Sequence, residues 1–231
     1  MIEQLKNEVY KANVELARHG LVTLTWGNAS GIDRSGGLVA IKPSGVDYQS
    51  MAAADMVVVD LEGKIVEGKL RPSSDTRTHL ELYRAFPSIG GVVHTHSLYA
   101  SVFAQACREI PCLGTTHADH FNGPVPVTRF LTAEEVDAGY ESGTGKIIVE
   151  RFSDLNADKT PGVLVAGHAP FTWGKTPADA VENSLILERI AQMALGTIQL
   201  NPQIAPLPVH IQHKHYQRKH GPEAYYGQEK P

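Results

Sequence analysis

The stretch Gly90-Gly-Val-Val-His-Thr-His-Ser97 decides how this chain is read. Its two valines and flanking glycines predict a buried strand over Gly91–His96. Alternate residues of a strand point to one face, so His94 and His96 project together and Thr95 points the other way. Two imidazoles held side by side on a rigid strand fit one divalent ion, and neutral imidazole suits Zn²⁺. The same spacing is equally compatible with a hydrogen-bonded strand feature. The neighbouring segments have to say which.

Outward from that strand the pattern is mixed. Ile2, Leu5, Val9, Ala12 and Leu16 recur at helical spacing through Ile2–His19, and Gly20 stops the run. Short β-like segments follow at Leu21–Trp26, Gly37–Lys42, Met56–Leu61 and Lys64–Glu67, the last two joined by a Glu62-Gly63 turn. Helices are expected over Thr76–Phe86 and Ser97–Ala106. Residues 111–130 read as loop and strand, and Pro161–His168 with Phe171–Trp173 as a strand pair. Thr176-Pro-Ala-Asp179 has the marks of a helix start: an N-cap hydroxyl, Pro at the first position and an acid three residues on. An apolar stripe then runs through Val181, Leu185, Ile190, Met193 and Ala194. After Asn201 the chain turns proline-rich and closes in a basic tail, 209–231, rich in His and Tyr. With no repeat, low-complexity tract or linker, the expectation is one α/β domain.

The whole-chain properties narrow the function classes. With 231 residues, the chain is long enough for one substantial core. A net charge of -4 gives no reason to propose nucleic acid or an anionic membrane as partner. No apolar run is long enough to span a bilayer, and the N-terminus has no signal-peptide core. Cys107 and Cys112 fit neither a disulfide framework nor a CxxC site, so reduced thiols and a cytoplasmic location are expected. The unusual feature is the 11 histidines, several of them clustered.

Other segments could carry chemistry, each beside a plainer role. His168 ends the apolar run Val163–His168 at a turn, as a further metal ligand or as a structural turn histidine. Pro72-Ser73-Ser74-Asp75-Thr76 precedes a helix, where its hydroxyls and carboxylate suit an N-cap but free N–H groups would also hold an anion. Trp26-Gly27-Asn28 and Lys42-Pro43-Ser44-Gly45 pair close-approach glycines with an amide, an ammonium and a hydroxyl. Neither is a P-loop or a GxGxxG fingerprint. Asp119, in Thr115-Thr-His-Ala-Asp119, is a turn cap or a general acid/base. The tail with His215, His220, Tyr225 and Tyr226 is a solvated end or a functional arm. A Ser/His/Asp hydrolase is disfavoured, since no GxSxG elbow occurs.

Taken together, LVTLTWGN, IKPSGVDY, PSSDT, FPSIGGVVHTHS, GTTHAD, VLVAGHAPFTWGK, KHYQRKHG and AYYGQ resemble, in order and over nearly the whole chain, the class II aldolase/adducin family, and within it the pentulose-phosphate 4-epimerases. The resemblance implies one three-layer α/β/α domain, residues 1–231, around a largely antiparallel sheet. It implies a C4 homotetramer with shared active sites, the segment 209–231 reaching a neighbouring subunit's site. Zinc ligands are implied at His94, His96 and His168, with Asp75 in the same metal site; Mn²⁺ or Co²⁺ could substitute. Phosphate-binding positions fall on Gly27, Asn28, Ser44, Gly45, Ser73 and Ser74, with Lys42 close by. An acid/base pair falls on Asp119 and Tyr226, with Tyr226 and His215 supplied by the adjacent subunit. The implied reaction interconverts L-ribulose 5-phosphate and D-xylulose 5-phosphate by cleaving and rejoining C3–C4. The alternatives are a sugar-phosphate aldolase of the same family, whose members carry Glu where this chain has Asp75, and a non-catalytic adducin-like module. The chain departs from the pattern at His120, where an aromatic Tyr is expected, and over Arg151–Thr160.

Overall fold

A computed structural model describes residues 2–225 and 227. Seven strands form one sheet: β1 Asn28–Asp33, β2 Leu38–Ile41, β3 Val57–Asp60, β4 Ile65–Glu67, β5 Gly91–His94, β6 Gly162–Leu164 and β7 Pro170–Gly174. Their order is β4-β3-β2-β1-β5-β7-β6, and every neighbouring pair is antiparallel. The helices are α1 Ile2–Arg18, α2 Thr76–Ala85, α3 Leu98–Gln105, α4 Thr115–Ala118, α5 Ala133–Arg151, α6 Pro177–Leu200 and α7 Val209–His220.

The period of two along the strands sorts the core into layers. Ile32, Val39, Val57, Val59, Val92, Phe171 and Trp173 face one way and pack with Leu80 and Tyr83 of α2 and Ile147 and Ile148 of α5. Their in-between neighbours face the other way: Ala40 and Val58 pack on Leu5 and Val9 of α1, while Ala29 and Val93 meet Ala180 and Val181 of α6. The result is a three-layer α/β/α arrangement around an antiparallel sheet, as expected.

Small residues set how close the α1/α6 layer comes. A Cβ at Gly91 would stand 2.5 Å from the Pro177 backbone, and one at Gly31 would stand 2.7 Å from Pro177 Cγ. The first turn of α6 therefore lies directly on the backbone of β1 and β5. That turn is set by a reciprocal cap. The Thr176 hydroxyl accepts from Asp179 N–H at 3.1 Å, and Thr176 N–H donates to the Asp179 carboxylate at 3.0 Å.

Three local expectations change. Leu21–Trp26 is not a strand; Leu24 turns the chain with φ 53° and stands 72% exposed. The central strand is instead the polar Asn28–Asp33, whose small Ala29 and Gly31 allow the close approach of α1 and α6. The strand through the histidine pair stops at His94, with His96 in the extended connection to α3. The tail to His220 is helical: α7 lies against α4.

Candidate metal centre and anion cleft

β5 ends at His94, whose Nδ1–H donates to the Pro170 carbonyl on β7 at 2.9 Å. The ring also stacks on Phe171, 4.2 Å between centroids. Both contacts fix the tautomer with the Nε2 lone pair outward, the arrangement a metal-binding histidine needs. His96 follows two residues on, its Nε2 3.2 Å from that of His94. His168 arrives from the turn between β6 and β7. One ring nitrogen from each of the three lies within 4.8 Å of the others, and among the described residues they form the one such cluster. Burial, followed by the neighbouring His94, lowers the pKa of His96; the same causes bring His168 down to about 4. Protonation of His96 and His168 is thereby disfavoured, which leaves their lone pairs available to a cation. The donor set, its convergence and its protonation fit a divalent ion such as Zn²⁺.

These three histidines line a cleft of about 530 Å³ with Gly27, Asn28, Lys42, Ser44, Gly45, Ser73, Ser74 and Asp75. All eleven residues marked in the sequence as metal or phosphate positions are thus in one place. Two loops that line the cleft are joined to each other. Ser44 N–H donates to Arg71 O and Ser73 N–H to Lys42 O, joining residues 42–45 to 71–75 across a Pro43–Pro72 bridge. Tyr48 fixes the third loop, its hydroxyl 3.0 Å from Trp26 O and 2.8 Å from Gly27 O. Gly27 is required there: it has φ +77°, and a Cβ would stand 2.8 Å from His94 O. Gly45, at φ +70°, faces open space.

Lys42 is 2% exposed, yet its ammonium meets only carbonyl oxygens at 3.4 and 3.5 Å and the Tyr48 ring at 4.7 Å. No carboxylate reaches ion-pair distance of it among the described residues. Burial lowers its pKa. Asn28 Nδ2 donates to Ser73 Oγ at 3.0 Å and Asp75 Oδ2 at 2.7 Å, leaving its buried Oδ1 without a partner. An under-paired ammonium and an orphaned amide oxygen in one cleft suit a polar, anionic ligand.

Asp75 lines the same cleft as the three histidines and supplies no atom to the cluster of three ring nitrogens. One of its oxygens accepts from Asn28 Nδ2 at 2.7 Å. Burial works to raise its pKa, but His94, His79, the Asn28 amide and His168 together hold it low.

Asp119 and His215 stand elsewhere in the chain, and neither lines the cleft. Asp119 accepts from His215 Nδ1 at 3.0 Å and from Arg218 in a fork at 2.9 and 2.7 Å. Burial favours the neutral acid, but the Arg218 and His215 hydrogen bonds outweigh it and lower the pKa. Within the chain α4 and α7 pack together and hold His215, the residue expected with Tyr226 at a neighbouring subunit's site, against Asp119. Tyr226 lies outside the described residues. Two residues that the sequence did not mark, Tyr140 and Glu141, also line the cleft. The helical path of α5 breaks at Gly139 (φ 144°, ψ 102°), which turns them inward; that interior glycine was the available signal. A second groove, about 500 Å³ between α1 and α6, is floored by Ala12, Pro177, Val181 and Leu185 and holds no cluster of ligating groups.

A three-layer antiparallel fold with a three-histidine cluster in a polar cleft defines a class, and the comparisons supply the family. Residues 7–195 match the Class II Aldolase and Adducin N-terminal domain, so the chain belongs to that family. An L-fuculose 1-phosphate aldolase structure superposes with a TM-score of 0.78 at 26% identity, covering 93% of this chain and 95% of that one. YgbL from Klebsiella pneumoniae, described as a putative aldolase/epimerase/decarboxylase, gives 0.71 at 23% identity, covering 93% and 98%. A sugar-phosphate aldolase from Thermotoga maritima gives 0.65 at 21% identity, covering 89% and 98%.

Proposed function

We propose that this chain is a metal-dependent epimerase that interconverts L-ribulose 5-phosphate and D-xylulose 5-phosphate. The observation that carries the reading is the juxtaposition of three convergent imidazoles with a buried, under-paired Lys42 in one polar cleft. Asp75, where the aldolases of the family carry Glu, and the terminal AYYGQ motif favour epimerisation over simple cleavage.

The carbon to be inverted carries a hydroxyl and is not adjacent to the carbonyl, so its proton is not acidic enough for direct removal. Breaking and remaking C3–C4 avoids that difficulty. A base takes the C4 hydroxyl proton, the C3–C4 electron pair moves into the C2 carbonyl, and an aldehyde forms at C4. A divalent ion on His94, His96 and His168 would supply the positive charge that stabilises the oxygens as that pair arrives. Lys42, Ser44, Gly45, Ser73 and Ser74 would hold the phosphate of the departing fragment so that it rotates without escaping. Return of the electron pair to the opposite aldehyde face, with a proton delivered to the oxygen, completes the inversion.

Each face needs its own proton-transfer group. In this reading they are Asp119 and Tyr226, contributed by a neighbouring copy in a homotetramer. Asp119 would arrive with His215 and Arg218, since the three are held together on one chain.

The direct test is interconversion of the two pentulose phosphates by purified protein, before and after treatment with a chelator. Chelator-sensitive epimerisation is the expected result. Accumulation of dihydroxyacetone and glycolaldehyde phosphate without epimer would favour a sugar-phosphate aldolase, the reading that the likeness to the L-fuculose 1-phosphate aldolase supports. Absence of bound metal and of both activities would leave a non-catalytic module.

A further inference from the structure

Glu188 is a carboxylate in the middle of α6, 9% exposed and outside the cleft. Its two oxygens accept from the N–H groups of Tyr99 at 2.9 Å and Ala100 at 3.0 Å, in the first turn of α3. A helix start ordinarily caps itself with the side chain at its N-cap. Here the N-cap is Ser97, and its hydroxyl makes no capping bond and is buried without a partner. The cap of α3 is thus supplied from another helix, and it is directional where the apolar α3–α6 contact is not.

What α3 carries explains why its placement matters. His96 lies two residues before its first turn. At its other end, the Ala104 carbonyl accepts from Gly167 N–H at 2.9 Å, in the turn that bears His168. His94 is anchored separately, to β7. Two of the three imidazoles therefore take their positions from the two ends of α3, and the third from the sheet.

We infer that Glu188 is a positioning residue for the metal centre: by clamping the start of α3 to α6 it fixes where His96 and His168 stand relative to His94. This rests on the reading of the three histidines as a metal site. Groups that orient metal ligands without touching the ion typically change affinity ten- to a hundred-fold when altered. Glu188→Gln keeps the shape but opposes an amide donor to one of the two N–H groups.

The test titrates Co²⁺ into metal-free wild type, Glu188→Gln and Ile190→Val, well below each melting temperature. Ile190 lies in the same α3–α6 core and serves as a control for lost packing. The expected result is a Kd raised roughly ten-fold or more in Glu188→Gln, with a changed visible Co²⁺ spectrum, and an unchanged Kd in Ile190→Val. An unaltered Kd in Glu188→Gln, or an equal rise in both variants, overturns the inference. Wild type that binds no Co²⁺ overturns the metal reading and this inference with it. A second measurement needs no variant: Zn²⁺ binding to wild type should slow amide exchange at Tyr99 and Ala100. Exchange unaffected by Zn²⁺ would count decisively against the clamp.

Discussion

At the scale of single residues, the cleft sets chemistry against stability. His96 contributes one of three convergent nitrogens and sits outside the strand, exposed, so its removal should spare the core. His96→Ala is expected to lose stoichiometric metal by elemental analysis and at least a hundred-fold in turnover, with little change in melting temperature; full activity in a metal-free variant would sink the mechanism. Lys42 presents the opposite balance. Its ammonium is buried without an acidic partner, an arrangement that costs folding free energy. Lys42→Met removes that charge at similar volume. The variant should gain about 1 kcal/mol in urea unfolding while KM for the phosphorylated substrate rises ten-fold or more. A less stable variant with unchanged KM would contradict the assignment.

At the scale of elements, the site depends on where β5 and α6 touch. Gly91 admits the Pro177 backbone to within 2.5 Å of a notional Cβ, and β5 runs from there to His94. Gly91→Ala should destabilise the fold by roughly 1–3 kcal/mol through overpacking, read as a lower unfolding midpoint. Thr176→Ala removes a capping hydroxyl from the same helix start and should cost about 1 kcal/mol, leaving metal binding intact. The same contact shows why parts of the sheet were hard to read in advance. A strand is recognised by bulky alternating residues, whereas Asn28–Asp33 is central because it is small. Likewise Gly139, Gly143 and Gly145 dilute the periodicity of α5, so no helix is legible there in the sequence. Yet Gly145 is what lets it reach α2, where a Cβ would stand 2.5 Å from Glu81 Cβ.

At the scale of the whole molecule, buried histidines govern the response to acid. Burial holds His79 at about 3 and His117 at about 4, below an ordinary histidine, so both are neutral in the fold. Between pH 6.5 and 4 the unfolded chain binds more protons than the folded one, so stability is full above pH 6.5 and falls as pH drops through this window. His117 alone would contribute on the order of 3 kcal/mol to that loss. Metal-free His117→Gln should show a shallower decline in unfolding free energy between pH 6.5 and 4.5, and a parallel decline would refute its part. The proposed sharing of sites between copies has its own check. Co-expressed His96→Ala and Tyr226→Phe chains should form mixed assemblies with partial activity, although neither is active alone. Lack of any recovery in isolated mixed assemblies would argue that each site is built from one chain.

The sequence by itself determined the first helix, the capping at Thr176, the pairing of His94 with His96 and the residues of the cleft loops. Each of these is written in local spacing or in a motif. Only the tertiary structure decided that His168 joins the pair, that Lys42 is buried without an acidic partner among the described residues, and that Asp75 is bonded to Asn28 in the same cleft. It alone bound His215 to Asp119 and brought Tyr140 and Glu141 to the cleft. Convergence of side chains from β5, the β6–β7 turn, α4 and α7 depends on how layers pack. Packing is set by distances between segments far apart in the chain, which no local pattern records.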